Sequence, residues 1–120
     1  MSISHKIPNW LCFDFWSVIT VGELYPQIRA IAVSYSVESK IIFARFYLDR
    51  DPTEFDKESI NEILSYLAGR YGDQSKVSKI LDECVFSNAP IKDLDALGGF
   101  VYTRREYEMQ DNPTQAPDYI

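Results

Sequence analysis

The chain has 120 residues, of which 46% are hydrophobic, 14% aromatic and 25% charged, and this composition excludes a disordered, collagen-like or coiled-coil chain. This length suits one domain with a single core rather than two domains. The 12 basic and 18 acidic side chains give a net charge of −6 with His neutral, which disfavours nucleic acid and anionic lipid as partners and favours a cationic partner.

The charge is uneven along the chain. Residues 1–50 carry five basic and four acidic side chains, whereas residues 51–120 carry seven and fourteen. Residues 109–120 contain two prolines and show no hydrophobic periodicity, which is typical of a flexible tail. We therefore expect a single domain at 1–108, with its acidity in the second half, followed by a flexible C-terminal tail at 109–120.

The cysteines and the N-terminal region point to a reducing compartment. Cys12 and Cys84 stand far apart and His5 is the only histidine, so the sequence has no zinc-ligand spacing and no disulfide framework. The apolar stretch at 10–21 is interrupted by one charged and two hydroxyl side chains, which suits neither a signal peptide nor a transmembrane span. We expect a cytoplasmic protein that does not bind membranes.

The strongest β pattern lies between residues 28 and 49. Ile31 and Val33 alternate with alanines, and the apolar run resumes at 41–48 after a polar turn at 37–40, a pattern that predicts a β-hairpin. Because neither strand has many polar positions, we expect the hairpin to be central in its sheet and covered on both faces.

A long amphipathic helix is predicted after the hairpin. Asp51, Pro52 and Glu54 have the pattern of an N-cap, a first-turn proline and an N3 glutamate, although Asp56 could also be the cap. Two glycines end the helix near residue 70. Its apolar stripe, which spans roughly 100° of the helix circumference, consists of Ile60, Ile63, Leu64, Leu67 and Tyr71.

Two further strands complete the predicted sheet. Residues 77–87 and 100–107 are apolar enough to be strands, and the segment 90–97 between them has room for a short helical turn that ends at a Gly-Gly pair. The predicted fold class is α+β: a mainly antiparallel sheet of about four strands packed against one long helix, in the order hairpin, helix, strand, helical turn, strand.

The N-terminal segment 9–24 fits two structures. Asn9 could cap a helix with Leu11, Phe15 and Val18 on one side, whereas the β-branched run at 18–21 favours a strand. We favour a helix that packs on the sheet.

No residue pattern indicates catalysis. The sequence contains no Gly-rich phosphate loop, nucleophile elbow, zinc-protease helix or EF-hand loop. His5 stands in a polar N-terminal stretch, where a general base is hard to hold in position, and the cysteines sit in apolar segments, as core residues do. We therefore predict a protein that is not an enzyme and needs no cofactor or metal.

A carboxylate cluster leaves a small metal-dependent enzyme open as an alternative. Asp49, Asp51 and Asp56 with two nearby glutamates could supply oxygen ligands, but their spacing matches no calcium loop. An acidic helix N-terminus stabilised by the helix dipole accounts for these residues better.

The same acidic segment is the most distinctive predicted surface. Residues 51–62 hold five carboxylates and one lysine, and helical periodicity points Glu58 and Glu62 away from the core. A basic macromolecule could dock there, with aromatic side chains supplying most of the affinity. The predicted partner-binding residues are Asp51, Glu54, Asp56, Glu58, Glu62 and Tyr66.

Two arginines stand side by side in the last predicted strand. Arg104 and Arg105 point to opposite faces of an extended chain. We expect one of them to be half-buried and paired with a carboxylate such as Asp49 or Glu106, rather than to contact a ligand.

Three segments together resemble a known family. The hairpin ends in RFYLDRDPTEFDKESINEIL, the third strand leads into ECVFSNAPIKDLDALGG, and the last strand reads VYTRREYE. Over residues 28–108 this order is similar to small immunity proteins of bacterial contact-dependent growth inhibition systems. The resemblance implies a cytoplasmic, non-catalytic protein that binds one cognate toxin domain, often a basic nuclease, and masks its active site or substrate groove.

Alternative functions remain open on sequence alone. The first is a non-catalytic regulatory or adaptor domain that binds a small ligand or a partner subunit, and another is a nucleic-acid mimic that inhibits DNA-processing enzymes. An aromatic-rich surface could also support a homodimer, although no residue pattern predicts one.

Overall fold

The computed structural model of the protein describes residues 7–19, 24–72 and 76–105. The predicted tail at 109–120 and His5 lie outside these ranges. Within them the chain forms two helices and four strands, with short 3₁₀ turns at Gly69–Tyr71 and Ile91–Asp93. In chain order these elements are α1 (Asn9–Ile19), β1 (Ile28–Ser36), β2 (Ile41–Leu48), α2 (Glu54–Ala68), β3 (Lys79–Phe86) and β4 (Gly99–Thr103).

The four strands form one sheet in the order β3-β2-β1-β4. Strands β1 and β2 are the predicted hairpin, and they occupy the two central positions, as expected. Strand β4 runs antiparallel to β1. The α+β class and the four-stranded sheet are thus confirmed.

The sheet is mixed rather than wholly antiparallel, because β3 runs parallel to β2. The reason is the connection: α2 leads from the end of β2 back along the sheet, so β3 starts beside the beginning of β2, with Lys79 opposite Ile41. A parallel neighbour needs a crossover of this kind, whereas a tight turn gives an antiparallel one. The same connection places β3 at an edge of the sheet.

Both helices pack on one face of the sheet and form the main core with it. The N-terminal segment is helical from Asn9 to Ile19, so the favoured alternative is confirmed and the strand at 18–19 is wrong. The predicted stripe of α2 is buried. Fully buried side chains at the centre of this core are Leu11, Phe15, Ile31, Val33, Ile42, Phe46, Leu48, Ile60, Ile63 and Leu67.

The second face of the hairpin is only partly covered, against the expectation of full cover. The segment after β3 lies over Ala30, Ala32 and Tyr47, which are buried. Ile41 and Phe43, farther along β2, stay half-exposed. One short segment cannot span a sheet face, so this face has a small core at one end and an open area at the other.

The outer strands are shorter than predicted. The third strand covers Lys79–Phe86 and the fourth Gly99–Thr103, and residues 104 and 105 are no longer in a strand. The predicted helical turn is present at Ile91–Asp93. Part of the predicted fourth strand, from residue 106 onward, lies outside the described ranges.

The core position of Phe46 generates a prediction. Phe46 is fully buried between the helices and the sheet, so we expect Phe46→Ala to lower the free energy of unfolding by about 3–5 kcal/mol. Chemical denaturation measures this change. Phe86→Ala is the matched control, because Phe86 is 45% exposed at the end of β3; equal losses in the two variants would contradict the assignment of the core.

Candidate functional site

Helix α2 starts with a reciprocal cap. Thr53 is the N-cap: its hydroxyl accepts a hydrogen bond from the Asp56 backbone N–H at 3.2 Å, and the Thr53 backbone N–H donates to Asp56 Oδ2 at 2.8 Å. This capping box satisfies two backbone donors that the first helical turn leaves free. The predicted cap at Asp51 is therefore wrong, because the helix begins later, and Asp56 takes the N3 position rather than the cap.

The Asp56 carboxylate is fully buried and joins three parts of the chain. Arg50 donates to Oδ1 at 2.7 Å and the Tyr25 hydroxyl donates to the same oxygen at 2.6 Å, while the Thr53 hydroxyl donates to Oδ2 at 2.9 Å. Burial alone would raise the pKa of Asp56, but these hydrogen bonds stabilise the anion and hold its pKa well below the usual range. Asp56 is therefore an ionised structural carboxylate.

This location removes Asp56 from the exposed surface on which it was predicted. Its oxygens have no solvent exposure, and their hydrogen bonds anchor the helix start. Helical spacing could have distinguished it from its neighbours, because Asp56 stands four residues before Ile60 and seven before Ile63 and so falls on the buried stripe. Its contacts with Arg50 and Tyr25, which approach from other elements, could not be predicted.

The exposed carboxylates of α2 follow one line along the helix. Glu54, Glu58 and Glu62 are four residues apart, with Tyr66 next in the series, and all four are exposed. Steps of four residues rotate about 40° around the helix, so these side chains form a continuous row across its outer face. We call this row the acidic ridge. The expectation that Glu58 and Glu62 face solvent is confirmed.

The ridge carboxylates lack cationic partners among the described residues, as do Glu38, Asp51, Asp82 and Asp93, whereas several other acidic side chains are paired. Elsewhere in the described chain, ion pairs join Asp14 to Arg70, Glu83 to Arg45 and Asp49 to Arg104, in addition to the buried pair at Asp56. None of the three ridge glutamates forms an ion pair with a described residue. Their negative potential is consequently available to solvent or to a partner.

Two further residues lie at the start of the ridge. Asp51 is exposed, in the loop just before the helix. Phe55, which follows Glu54, is 58% exposed and packs edge-on against Tyr25 with ring centroids 5.2 Å apart. An exposed phenylalanine that is held in place by a second ring is suited to contact a partner. Phe55 was not among the predicted contact residues, but its position outside the apolar stripe of α2 could have indicated that it is exposed.

Helix α1 adds two exposed aromatic side chains that were not predicted as contact residues. Phe13 is 66% exposed and Trp16 is 58% exposed, on the side of α1 opposite the buried Leu11, Phe15 and Val18. The Trp16 indole N–H donates to the Val101 carbonyl at 3.1 Å, which orients the ring. The same helical periodicity that located the buried side would have placed these two rings in solvent.

Arg104, just after β4, is half-buried and pairs with a carboxylate. Its guanidinium donates to Asp49 Oδ2 at 2.8 Å and to the Pro26 carbonyl at 2.6 Å, so the expected pairing with Asp49 is confirmed. This contact ties the end of β4 to the end of β2.

Metal and thiol chemistry find little support in the described residues. No group of three His, Cys, Asp or Glu side chains there is placed to hold a metal ion, and Asp49 and Asp56 are both engaged by arginines. Burial raises the pKa of the Cys84 thiol to about 11, which suits a core residue and not a nucleophile. No helix in the described ranges is long and apolar enough to cross a membrane.

A small α+β domain whose most distinctive surface is a row of unpaired carboxylates has the features of a protein-binding module. The family model described as MafI2 immunity protein matches residues 8–106, and the chain belongs to this family. It is thus an immunity protein of a toxin–immunity system, with a cognate toxin as its partner. A search of curated proteins found no match.

This membership confirms the predicted immunity class, and it covers the N-terminal helix as well as the segments that carried the resemblance. The route by which the toxin is delivered, the toxin's chemistry and the contact residues stay predictions.

The buried Asp56 carboxylate generates a prediction about stability. Asp56→Asn removes the anion that Arg50, Tyr25 and Thr53 stabilise, and we expect it to lower the free energy of unfolding at pH 7 by about 2–3 kcal/mol. Because the pKa of Asp56 is lowered in the folded state, its stabilisation is complete above the unfolded value near pH 4 and is lost as the pH falls further. Urea denaturation between about pH 2 and 7 measures this dependence. The free energy of unfolding should fall less steeply with decreasing pH in the variant than in the wild type.

Glu58→Gln is the matched control for this experiment, because it removes the same charge from an exposed position of the same helix. Its free energy of unfolding at pH 7, and the decrease of that free energy at acid pH, should resemble those of the wild type. If Asp56→Asn and Glu58→Gln behaved alike, the carboxylate of Asp56 would not have the structural role assigned to it.

Proposed function

We propose that the protein neutralises its cognate toxin in the cytoplasm by binding a basic surface of that toxin through the acidic ridge and Asp51. We propose further that the toxin is a nuclease delivered by contact-dependent growth inhibition, and that the bound immunity protein masks its active site or substrate groove. No catalytic step by the immunity protein is needed for this function.

The observation that carries the proposal is the absence of cationic partners along the ridge. Folding uses the carboxylates of Asp14, Asp49 and Asp56 in pairs with arginines, but it leaves Glu54 and its two ridge neighbours facing solvent. Adjacent like charges on a helix repel and destabilise it slightly. A cationic partner would relieve this repulsion and gain attraction from all three charges.

A nuclease is the toxin class that best fits this electrostatic pattern. An enzyme that cleaves nucleic acid must bind phosphates, and it therefore presents a basic groove. A row of carboxylates on consecutive helical turns offers such a groove a substitute for phosphate charge. Long-range attraction between the two surfaces would raise the rate of association, which matters for an inhibitor that must act before the toxin does.

Aromatic side chains beside the ridge would supply affinity. Tyr66 is 52% exposed at one end of the ridge, and Phe55 is 58% exposed near the other. Tyrosine and other aromatics often dominate binding energy at the centre of interfaces, whereas exposed charges mainly set rate and orientation. The ridge thus combines a charged row with a ring near each end.

The charge of the ridge generates a kinetic prediction. The double variant Glu58→Gln and Glu62→Gln should slow association with the toxin domain and flatten its dependence on salt, because two of the steering charges are removed. Surface plasmon resonance at several ionic strengths measures both effects, with the toxin first obtained by affinity capture from lysate of the native bacterium.

A matched control distinguishes the effect of the charges on the ridge from the effect of the net charge of the protein. Glu38→Gln with Asp93→Asn makes the same change at exposed positions outside α2, and it should keep most of the wild-type association rate. If the ridge variant associated like this control, or if the captured toxin were acidic or lacked nuclease activity, the proposed function would be wrong in that respect.

The Tyr66 ring generates a separate prediction about the lifetime of the complex. Tyr66→Ala should raise the dissociation rate about fivefold or more, the equivalent of about 1 kcal/mol, with little effect on association. Val37→Ala is the control, since Val37 is 74% exposed in the hairpin turn. Equal dissociation rates for the two variants would show that Tyr66 is not an anchor.

A further inference from the structure

Strand β3 has a free edge with a defined set of backbone groups. Ser87 N–H donates to the Leu48 carbonyl at 3.1 Å, next to the pair formed by Leu48 and Phe86. Backbone groups alternate in direction along a strand, so odd-numbered residues of β3 bond to β2. The even-numbered residues, Ile80, Asp82, Cys84 and Phe86, direct their N–H and C=O groups outward.

This edge is long and partly apolar. It covers eight residues, with Leu81 44% exposed and Phe86 45% exposed. In the order β3-β2-β1-β4, no described strand pairs with its outer side. An exposed edge of this length is a template for another strand.

We propose that the β3 edge is an interface between two copies of this protein, in which β3 pairs antiparallel with the same strand of the partner. The two-fold axis passes midway between the two copies of Leu81, so Leu81 lies opposite the partner's Leu81. The two four-stranded sheets then join into one continuous sheet.

Backbone geometry and side-chain charge select this register. Because only even-numbered residues face outward, antiparallel pairing must join even to even and odd to odd. A register centred on Asp82 or on Glu83 would place like charges directly opposite each other. The register centred on Leu81 places Lys79 opposite the partner's Glu83, and symmetry repeats this pair. Among the allowed registers in which β3 pairs with a second β3, this is the one that places opposite charges across from each other.

The surroundings of the edge leave room for a partner strand. A groove of about 320 Å³ runs between α2 and β3, and the α2 side chains that line it include the small or short Asn61, Ser65 and Ala68. Leu64 also lines the groove, but it is buried, so the exposed α2 residues beside Ile80 and Asp82 on the strand are these three. Glu62 and Tyr66 of the acidic ridge lie on the side of α2 that turns away from this groove, whereas Glu54 is within about 20° of Asn61 and Ser65 around the helix.

Analytical ultracentrifugation of the full chain tests the proposal. We expect reversible association to a dimer between micromolar and millimolar concentration, since strand pairing alone buries little area. Lys79→Glu places two like-charged pairs in the interface, so it should raise the dimer dissociation constant about tenfold or more. Lys92→Glu, the same change at an exposed site in the turn after β3, should leave this constant unchanged.

A second variant tests the backbone pairing itself. Asp82→Pro removes an N–H that points outward, so the bonds between β3 and β2 should persist while dimerisation is lost. Thermal unfolding of the dilute, monomeric proteins checks that each variant is folded.

A wild type that stays monomeric to millimolar concentration would overturn the proposal, and so would folded Lys79→Glu or Asp82→Pro variants that dimerise like the wild type. If the edge instead bound a strand of the toxin, both variants would weaken toxin binding while the free protein stayed a monomer. Dimerisation is measured without toxin, so its failure is independent of the proposed function.

Discussion

The buried carboxylate of Asp56 holds together the parts of the chain that position the acidic ridge. Its oxygens accept hydrogen bonds from the connection before β1, through Tyr25, from the end of β2, through Arg50, and from the helix cap, through Thr53. An ion in the interior is stable only when its hydrogen-bonding capacity is filled. Burying the Asp56 carboxylate without these partners would cost free energy, so the folded state is favoured when all three segments meet where α2 begins. This junction fixes the start of α2 relative to the sheet.

Two groups among the remaining carboxylates have different roles. Asp14, Asp49 and Glu83 pair with arginines and link neighbouring elements. Glu58 and its neighbours on the ridge pair with no described residue and contribute little to the fold. This division is what a small inhibitor requires: some charges stabilise the scaffold, and others stay available for a cationic partner. Membership in the MafI2 immunity protein family supplies the partner class, a cognate toxin.

The crossover through α2 has two structural effects. It covers one face of the sheet with the helix that carries the ridge, and it places β3, running parallel to β2, at the edge. The surface proposed for the toxin and the surface proposed for self-association therefore belong to the same helix and strand unit, the first on α2 and the second on the edge of β3.

Local patterns in the sequence were sufficient to predict the elements of the fold. Alternation predicted the hairpin, a 3.6-residue period predicted the buried stripe of α2 and the exposure of Glu58 and Glu62, and the resemblance of three segments to known immunity proteins indicated that class. The tertiary structure alone decided what stabilises the buried carboxylate. Helical spacing places Asp56 on the buried stripe and Glu58 opposite it, but Arg50 and Tyr25 reach Asp56 from other elements, which no local pattern indicates. The direction of β3 was likewise decided by the path of α2 across the sheet, since the pattern of a strand contains no information about which neighbour it will pair with or in which direction.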